Sequence, residues 1–431
     1  MHRIASTFSL PALALGAFVS AASAQCSLQA LPGLPQPQLT GSVFSTVSWD
    51  PDGAGPAPQV LVVGGDRLVA GSVFEASLLT WDGSAWNTLG GSGPLAGFVH
   101  ALLVWNGQLV AAGSNGVGPS PVQTWNGSSW QPIGAPFADF VGKLVVWNGS
   151  LVAVTLPTFL NQFVIHSWNG TTWTALPTPP VAANIHSIVS YQGLLCVSGQ
   201  NTGRNQGVLE RWNGTSWLPS ILTSVAAGND ISELAVRGSL IAGAADTLYA
   251  AGTFSTIGNN TAANIAATSG GGAFAWSTLG AGLAFPCTAL SVRNTGLTSE
   301  VVAGTFLSFT SPAPVLRYAA TTIGGTPTWN AMGDVYLRSI RFFAGQYFGA
   351  RGAWGNASLL RFNGGACEVL GNLVCDRVNI AEVGRKSVGG CEVQSQMLEK
   401  HSRVEEDGIG KVTDDPEKLA RPNLLVEVAN Q

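Results

Sequence analysis

Charge is what this sequence has least of. Only 10% of its 431 residues are Asp, Glu, Lys or Arg, and the net charge is −4. Residues 1–371 hold a single lysine, Lys143. Phosphate binding needs clustered Lys and Arg, so no nucleic-acid partner is expected. Beyond the N-terminal segment, no run reaches the roughly 20 uninterrupted apolar residues of a membrane helix, so no membrane span is expected either. The six cysteines are irregularly spaced and include no Cys-x-x-Cys pair, which leaves no zinc signature. No cofactor is expected. The Gly-x-Ser-x-Gly nucleophile elbow is absent. Only 13 of the 24 acidic residues precede residue 372, so the paired carboxylates of a glycosidase are hard to place.

What the chain does have is tryptophan at a fixed period. Trp125-Asn126-Gly127-Ser128-Ser129-Trp130 recurs as Trp81-Asp82-Gly83-Ser84-Ala85-Trp86, Trp168-Asn169-Gly170-Thr171-Thr172-Trp173 and Trp212-Asn213-Gly214-Thr215-Ser216-Trp217. The first tryptophans fall at 81, 125, 168 and 212. A fixed period of this size marks a repeat architecture. Asn-Gly or Asp-Gly between apolar runs signals a hairpin, so each hexapeptide is read as a two-residue type I′ turn with a tryptophan near each end.

The second repeat gives the unit. Val99 to Trp105, Leu109 to Gly113 and the two arms of the hairpin from Val122 to Ile133 are four short strands joined by tight turns. That is the content of one propeller blade. Later repeats keep the second strand as Leu248 to Phe254, Val301 to Phe306 and Tyr347 to Ala350. Trp329 marks the fourth strand of the sixth unit, and Cys367 replaces the second tryptophan in the seventh. The fold class is therefore all-β: a β-propeller of about seven four-stranded blades over residues 42–371, with eight blades or an incomplete ring as the alternative. The tryptophans are read as filler between blades, because no blade can bury both faces alone. Cys196, in the apolar run Leu194 to Val197, reads as a buried free thiol.

Flanking segments differ. Residues 1–24 read as a secretory signal peptide, with Arg3, an apolar core from Leu10 to Val19, and Ala22-Ser23-Ala24 before the cleavage point. The expected location is secreted, periplasmic or at the cell surface. Residues 25–41 are a Pro-rich lead-in. Residues 372–431 carry 19 of the chain's 44 charged side chains and no Trp. Two readings of this tail stay open: a flexible charged segment, or one foreign to the repeat, as a shifted reading frame would produce.

The repeat resembles kelch-like and galactose-oxidase-like β-propellers, and more closely the tandem repeats of exported bacterial proteins. The residues that carry the likeness are Val62-Val63-Gly64-Gly65-Asp66, Ala251-Gly252-Thr253-Phe254, the Trp hairpins, and the Leu-Gly ending at Leu89-Gly90. The resemblance implies a propeller fold and little about activity.

Aligning the first strands on Trp105 and Tyr191 puts His100 and His186 at one blade position, with Arg338 in the same slot before Phe343. First strands lie nearest a propeller's axis, where ligands often sit, so these three are the candidate binding residues. The expected function is an exported binding or scaffold module for a protein or glycan ligand. The alternative is a hydrolase or lyase with its site at the channel mouth.

Overall fold

A computed structural model describes residues 39–369, apart from positions 71–72, 92, 157–162, 202, 204–205, 224–228, 240–244, 271–273, 296–297, 307–313, 320–326, 335–336, 338, 345, 354–355 and 364–365. The signal segment, nearly all of the lead-in and the charged tail lie outside the described residues. So do Cys26 to Leu31, a candidate strand for ring closure.

Seven four-stranded antiparallel sheets follow one another along the chain. Blade 1 is β1 (Leu39–Trp49), β2 (Val60–Ala70), β3 (Val73–Trp81) and β4 (Trp86–Thr88). Blade 2 is β5 (Phe98–Trp105), β6 (Gln108–Ser114), β7 (Gln123–Trp125) and β8 (Trp130–Pro132). Blade 3 is β9 (Phe140–Trp147), β10 (Ser150–Leu156), β11 (Val164–Trp168) and β12 (Trp173–Ala175), and blade 4 is β13 (Ala182–Tyr191), β14 (Leu194–Asn201), β15 (Gly207–Trp212) and β16 (Trp217–Leu222). Blade 5 uses β17 (Asp230–Arg237), β18 (Thr247–Thr253), β21 (Ile265–Thr268) and β22 (Ser277–Thr278), with a small extra hairpin of β19 (Thr256–Ile257) and β20 (Asn260–Thr261). Blade 6 is β23 (Cys287–Thr295), β24 (Thr298–Thr305), β25 (Pro314–Ala319) and β26 (Thr328–Asp334). Blade 7 is β27 (Ser339–Phe343), β28 (Gln346–Ala353), β29 (Asn356–Asn363) and β30 (Ala366–Val369). In blade 7 Cys367 faces Phe362 across the hairpin, as Trp86 faces Trp81 in blade 1.

The second strands explain the stacking. Leu61, Val62 and Val63 are all fully buried, as are Val110 and Ala111 or Val152 and Ala153. Successive residues of a strand point to opposite faces, so a run buried at every position is covered on both sides. Leu61 and Val63 pack into a cluster with Phe343 and Phe348 of blade 7, whereas Val62 joins Val99 and Leu102 of blade 2. The same partition repeats round the ring, giving seven inter-blade cores. Each fully buried Val or Leu contributes about 1.5–3 kcal/mol, so stability is spread over the interfaces. Both terminal blades are built from consecutive strands, and among the described residues they meet by packing between blades 1 and 7. Thr46 Oγ1 meets Ser339 Oγ at 3.0 Å, and Arg341 Nε donates to the Thr46 carbonyl at 2.8 Å.

The tryptophans join blades in two ways. At the ends of the inner strands of blades 1, 2 and 3, Trp49, Trp105 and Trp147 donate Nε1–H to the carbonyls of Gly107, Gly149 and Gly193 in the next blade, at 2.9–3.0 Å. On the fourth strands Trp130, Trp173 and Trp329 donate back to Leu89, Ile133 and Leu279 of the preceding blade, at 2.8–2.9 Å. The first tryptophan of each hexapeptide is buried, and its ring packs on the second at 5.2–5.4 Å. The Leu-Gly ending follows from this: Gly90 has φ +79 and lies against Trp125 and Trp130 of the next blade, and its counterpart Gly134, in Ile133-Gly134, has φ +71 and lies against Trp168 and Trp173.

The hexapeptide turn differs from expectation. Trp125 pairs directly with Trp130, leaving a four-residue loop. Gly127 has φ +99, but Asn126 is not in the positive-φ region, so the turn is not type I′. Instead the Asn126 side chain organises the loop. Its Oδ1 accepts from the amides of Ser128 and Ser129, both at 2.9 Å. Asn169 and Asn213 repeat this pattern, and Asp82 does so as a carboxylate whose pKa these hydrogen bonds lower. An Asx side chain that bonds its own backbone two residues on competes with the I′ geometry. The two-residue type I′ turns are elsewhere, between first and second strands, where Asn106-Gly107 and Asn148-Gly149 have positive φ at both residues.

Candidate functional site

The seven inner strands surround a lumen of about 360 Å³. Six of them carry a register shift near the start. In blade 2 Val99 pairs with Gly113 and Ala101 with Ala112, so His100 is the extra residue of a β-bulge. In blade 4 His186 is the extra residue between Ile185 and Ser187. The two histidines therefore do share one blade position, and Phe44, Gly142 and Thr288 occupy it in blades 1, 3 and 6. Arg338 lies outside the described residues.

The side chains at this slot reach across to the next blade. His100 Nδ1 lies 3.0 Å from the Gly142 carbonyl of blade 3, with its ring stacked on Phe44 at 5.1 Å. His186 Nδ1 lies 2.7 Å from Asp230 Oδ1 of blade 5. Thr288 Oγ1 donates to the Leu337 carbonyl at 3.0 Å. The slot is thus an inter-blade strap, and His100 also borders the lumen. His166, on the third strand of blade 3, is half-buried. It lies 3.2 Å from Thr155 Oγ1 and against Phe137, and burial lowers its pKa.

The residue after the bulge faces the channel. Ser45, Ala101, Ser187 and Ala289 are small, as is Ser339 at the matching place in blade 7, whose inner strand has no register shift, whereas Lys143 and Glu233 put charges at this level from blades 3 and 5. Arg341 enters the lumen two residues after Ser339 in blade 7. Among the described residues no hydrogen bond or ion pair reaches the Lys143 ammonium or the Glu233 carboxylate. Withdrawal from bulk water raises the Glu233 pKa to about 7, against the opposing pull of Lys143, Arg341 and His186. The Arg341 guanidinium is lowered by the same withdrawal and supported by Glu233.

Lys143, Glu233 and Arg341 were not singled out from the sequence as site residues. A signal was present: Lys143 is the only lysine before residue 372, and Glu233 interrupts an apolar strand. Among the described residues no group of three or more His, Cys, Asp and Glu side chains could hold a metal ion. No described helix is long and apolar enough to cross a membrane.

No protein-family model matches the chain, and no curated protein matches it. Solved structures do. The β-propeller domain of Cps50 (Swd1) from Myceliophteria thermophila aligns with a TM-score of 0.46 at 12% identity, over 76% of this chain and 98% of that one. The WD40 repeats of RRP9 align with a TM-score of 0.45 at 12% identity, over 78% and 97%. These are likenesses of propeller architecture, and function has to be argued from the site.

Proposed function

We propose that the protein is an exported β-propeller that serves as a binding or scaffold module and takes a protein or glycan ligand at its central channel. The observation that carries this reading is the contrast between two sets of charges. Glu300, inside blade 6, is ion-paired with Arg293 and Arg317 and accepts a hydrogen bond from Tyr347. Among the described residues, Lys143 and Glu233 stand in the lumen with no hydrogen-bond or ion-pair partner. Charged groups left unpaired in a concavity cost desolvation energy that a structural role does not return, whereas a ligand can. His100, His186 and Arg338 belong to this proposal as the binding residues expected from the sequence, Arg338 lying outside the described residues. The test is a screen of glycans, cell-wall fragments and pull-down partners with wild type and Lys143→Met. Capture by wild type that weakens in the variant supports the reading; no ligand and no partner overturns it.

A hydrolase or lyase at the channel mouth is the second reading. It is favoured by the His186–Asp230 pair in the same region as Glu233, whose pKa near 7 suits a general acid–base. Turnover of any captured ligand, abolished in Glu233→Gln, would establish it. A captured ligand that is released chemically unchanged would remove it.

A further inference from the structure

The charges in the lumen are arranged in an order. Glu233 stands on blade 5, Lys143 two blades before it, and Arg341 two blades after it. A carboxylate is therefore flanked on either side by a cation, around one cavity of about 360 Å³. Arg341 is held by a bond from Nε to the Thr46 carbonyl of blade 1. That anchor fixes the guanidinium plane and leaves its terminal nitrogens for another acceptor. The volume falls at the small end of ligand pockets, which suits a compact polar molecule. The remaining lining at this level is small, Ser or Ala, and leaves room between the charges.

We infer that the channel binds a free amino dicarboxylate: a small molecule whose two carboxylates meet Lys143 and Arg341 and whose ammonium group meets Glu233. This rests on the channel being the binding site and adds the class of ligand. A simple dicarboxylate would satisfy the cations and leave Glu233 facing like charge. A simple amine would do the reverse. The mixed ligand is the one that leaves no charge of the triad unpaired, which matters in a partly desolvated cavity.

The experiment is a calorimetric titration of the whole protein with aspartate, glutamate, 2-aminoadipate and 2-aminopimelate. Each is paired with the same dicarboxylate lacking the amine. At about pH 8 at least one amino acid is expected to bind about 10-fold tighter than its deamino partner, a tenfold step being about 1.4 kcal/mol. Glu233→Gln should bring that ratio close to one, and Lys143→Met should weaken both members of the pair. A wild-type measurement needs no variant. Glu233 faces Lys143, Arg341, His186 and Asp230, and its charge is lost as pH falls below about 7, so the ratio should shrink at about pH 5.5. A wild-type ratio near one for every pair overturns the inference, as does a preference that survives in Glu233→Gln or fails to shrink at low pH. If dicarboxylates bind without regard to the amine, or if a glycan or protein is captured through Lys143, the channel reading stands and this ligand class falls.

Discussion

Replacing Gly134 with alanine probes the inter-blade joint at its tightest point. Gly134 follows the fourth strand of blade 2 and has φ +71. An L-residue held in that left-handed region costs roughly 1–2 kcal/mol relative to glycine. A Cβ built there would also lie 2.4 Å from Trp168 Cζ3 and 3.0 Å from Trp173 Cδ1. Neither ring can retreat easily. They pack on each other at 5.2 Å, and the Trp173 indole is tied to the Ile133 carbonyl at 2.8 Å. Overpacking of this kind adds about 1–3 kcal/mol, so the total loss should be about 2–5 kcal/mol. Gly127→Ala is the control. Its φ of +99 is also unfavourable for alanine, but no atom lies within 4 Å of the added Cβ. Only the backbone cost of about 1–2 kcal/mol should remain. Equilibrium urea unfolding of the two variants measures the difference. Equal losses would refute the claim that the Leu-Gly ending is a seat for the next blade's tryptophans.

Three further outcomes follow from the charged and titratable groups. Glu300→Ala should cost about 2–4 kcal/mol in urea unfolding, somewhat under the loss for breaking a fully buried pair because Arg317 is half exposed; Arg317→Ala should cost under about 1 kcal/mol, and the reverse order would contradict the assignment of Glu300 as the hub. Glu233 is raised from an ordinary value of 4.5 to about 7 in the folded protein. The unfolded chain therefore releases this proton first as pH rises, so the contribution of Glu233 to stability is full below about pH 4.5 and lost by about pH 7. Unfolding curves of wild type and Glu233→Gln should diverge over that window, wild type losing on the order of 1–3 kcal/mol relative to the variant, and parallel curves would remove the desolvated carboxylate. Burial pushes the Cys196 thiol up to about 12 and raises Cys287 as well. Peptide mapping after iodoacetamide treatment should find both unmodified in the native protein and modified after unfolding; native modification of Cys196 would place it outside the core.

Much of the architecture was legible because packing and periodicity speak through the same residues. The tryptophan period marks the first four hairpins, and the apolar second strands extend the count to seven. Ring closure was not legible in this way. The sequence offers no sign that blades 1 and 7 meet through Thr46, Ser339 and Arg341. The hexapeptide was read with the right span and the wrong turn, since Asn can serve either as a positive-φ residue or as a side-chain acceptor, and the same letters encode both. The site was legible only in part. Aligning His100 with His186 found a real structural position. Which neighbour of that position faces the lumen depends on the bulge, because one extra residue flips every later side chain to the other face. Lys143 and Glu233 follow the bulge by one residue, and that offset exists only once the strands are paired.

The claim that the tryptophan hairpins are struts between blades, and not a surface for ligands, is tested most directly by hydrogen exchange at the indole nitrogens. Selective ¹⁵N-tryptophan labelling would resolve them by NMR. The account predicts strongly protected Nε1–H groups for Trp130, Trp173 and Trp329, whose bonds cross from one blade to the preceding one. Exchange at the rate of a free indole would contradict it.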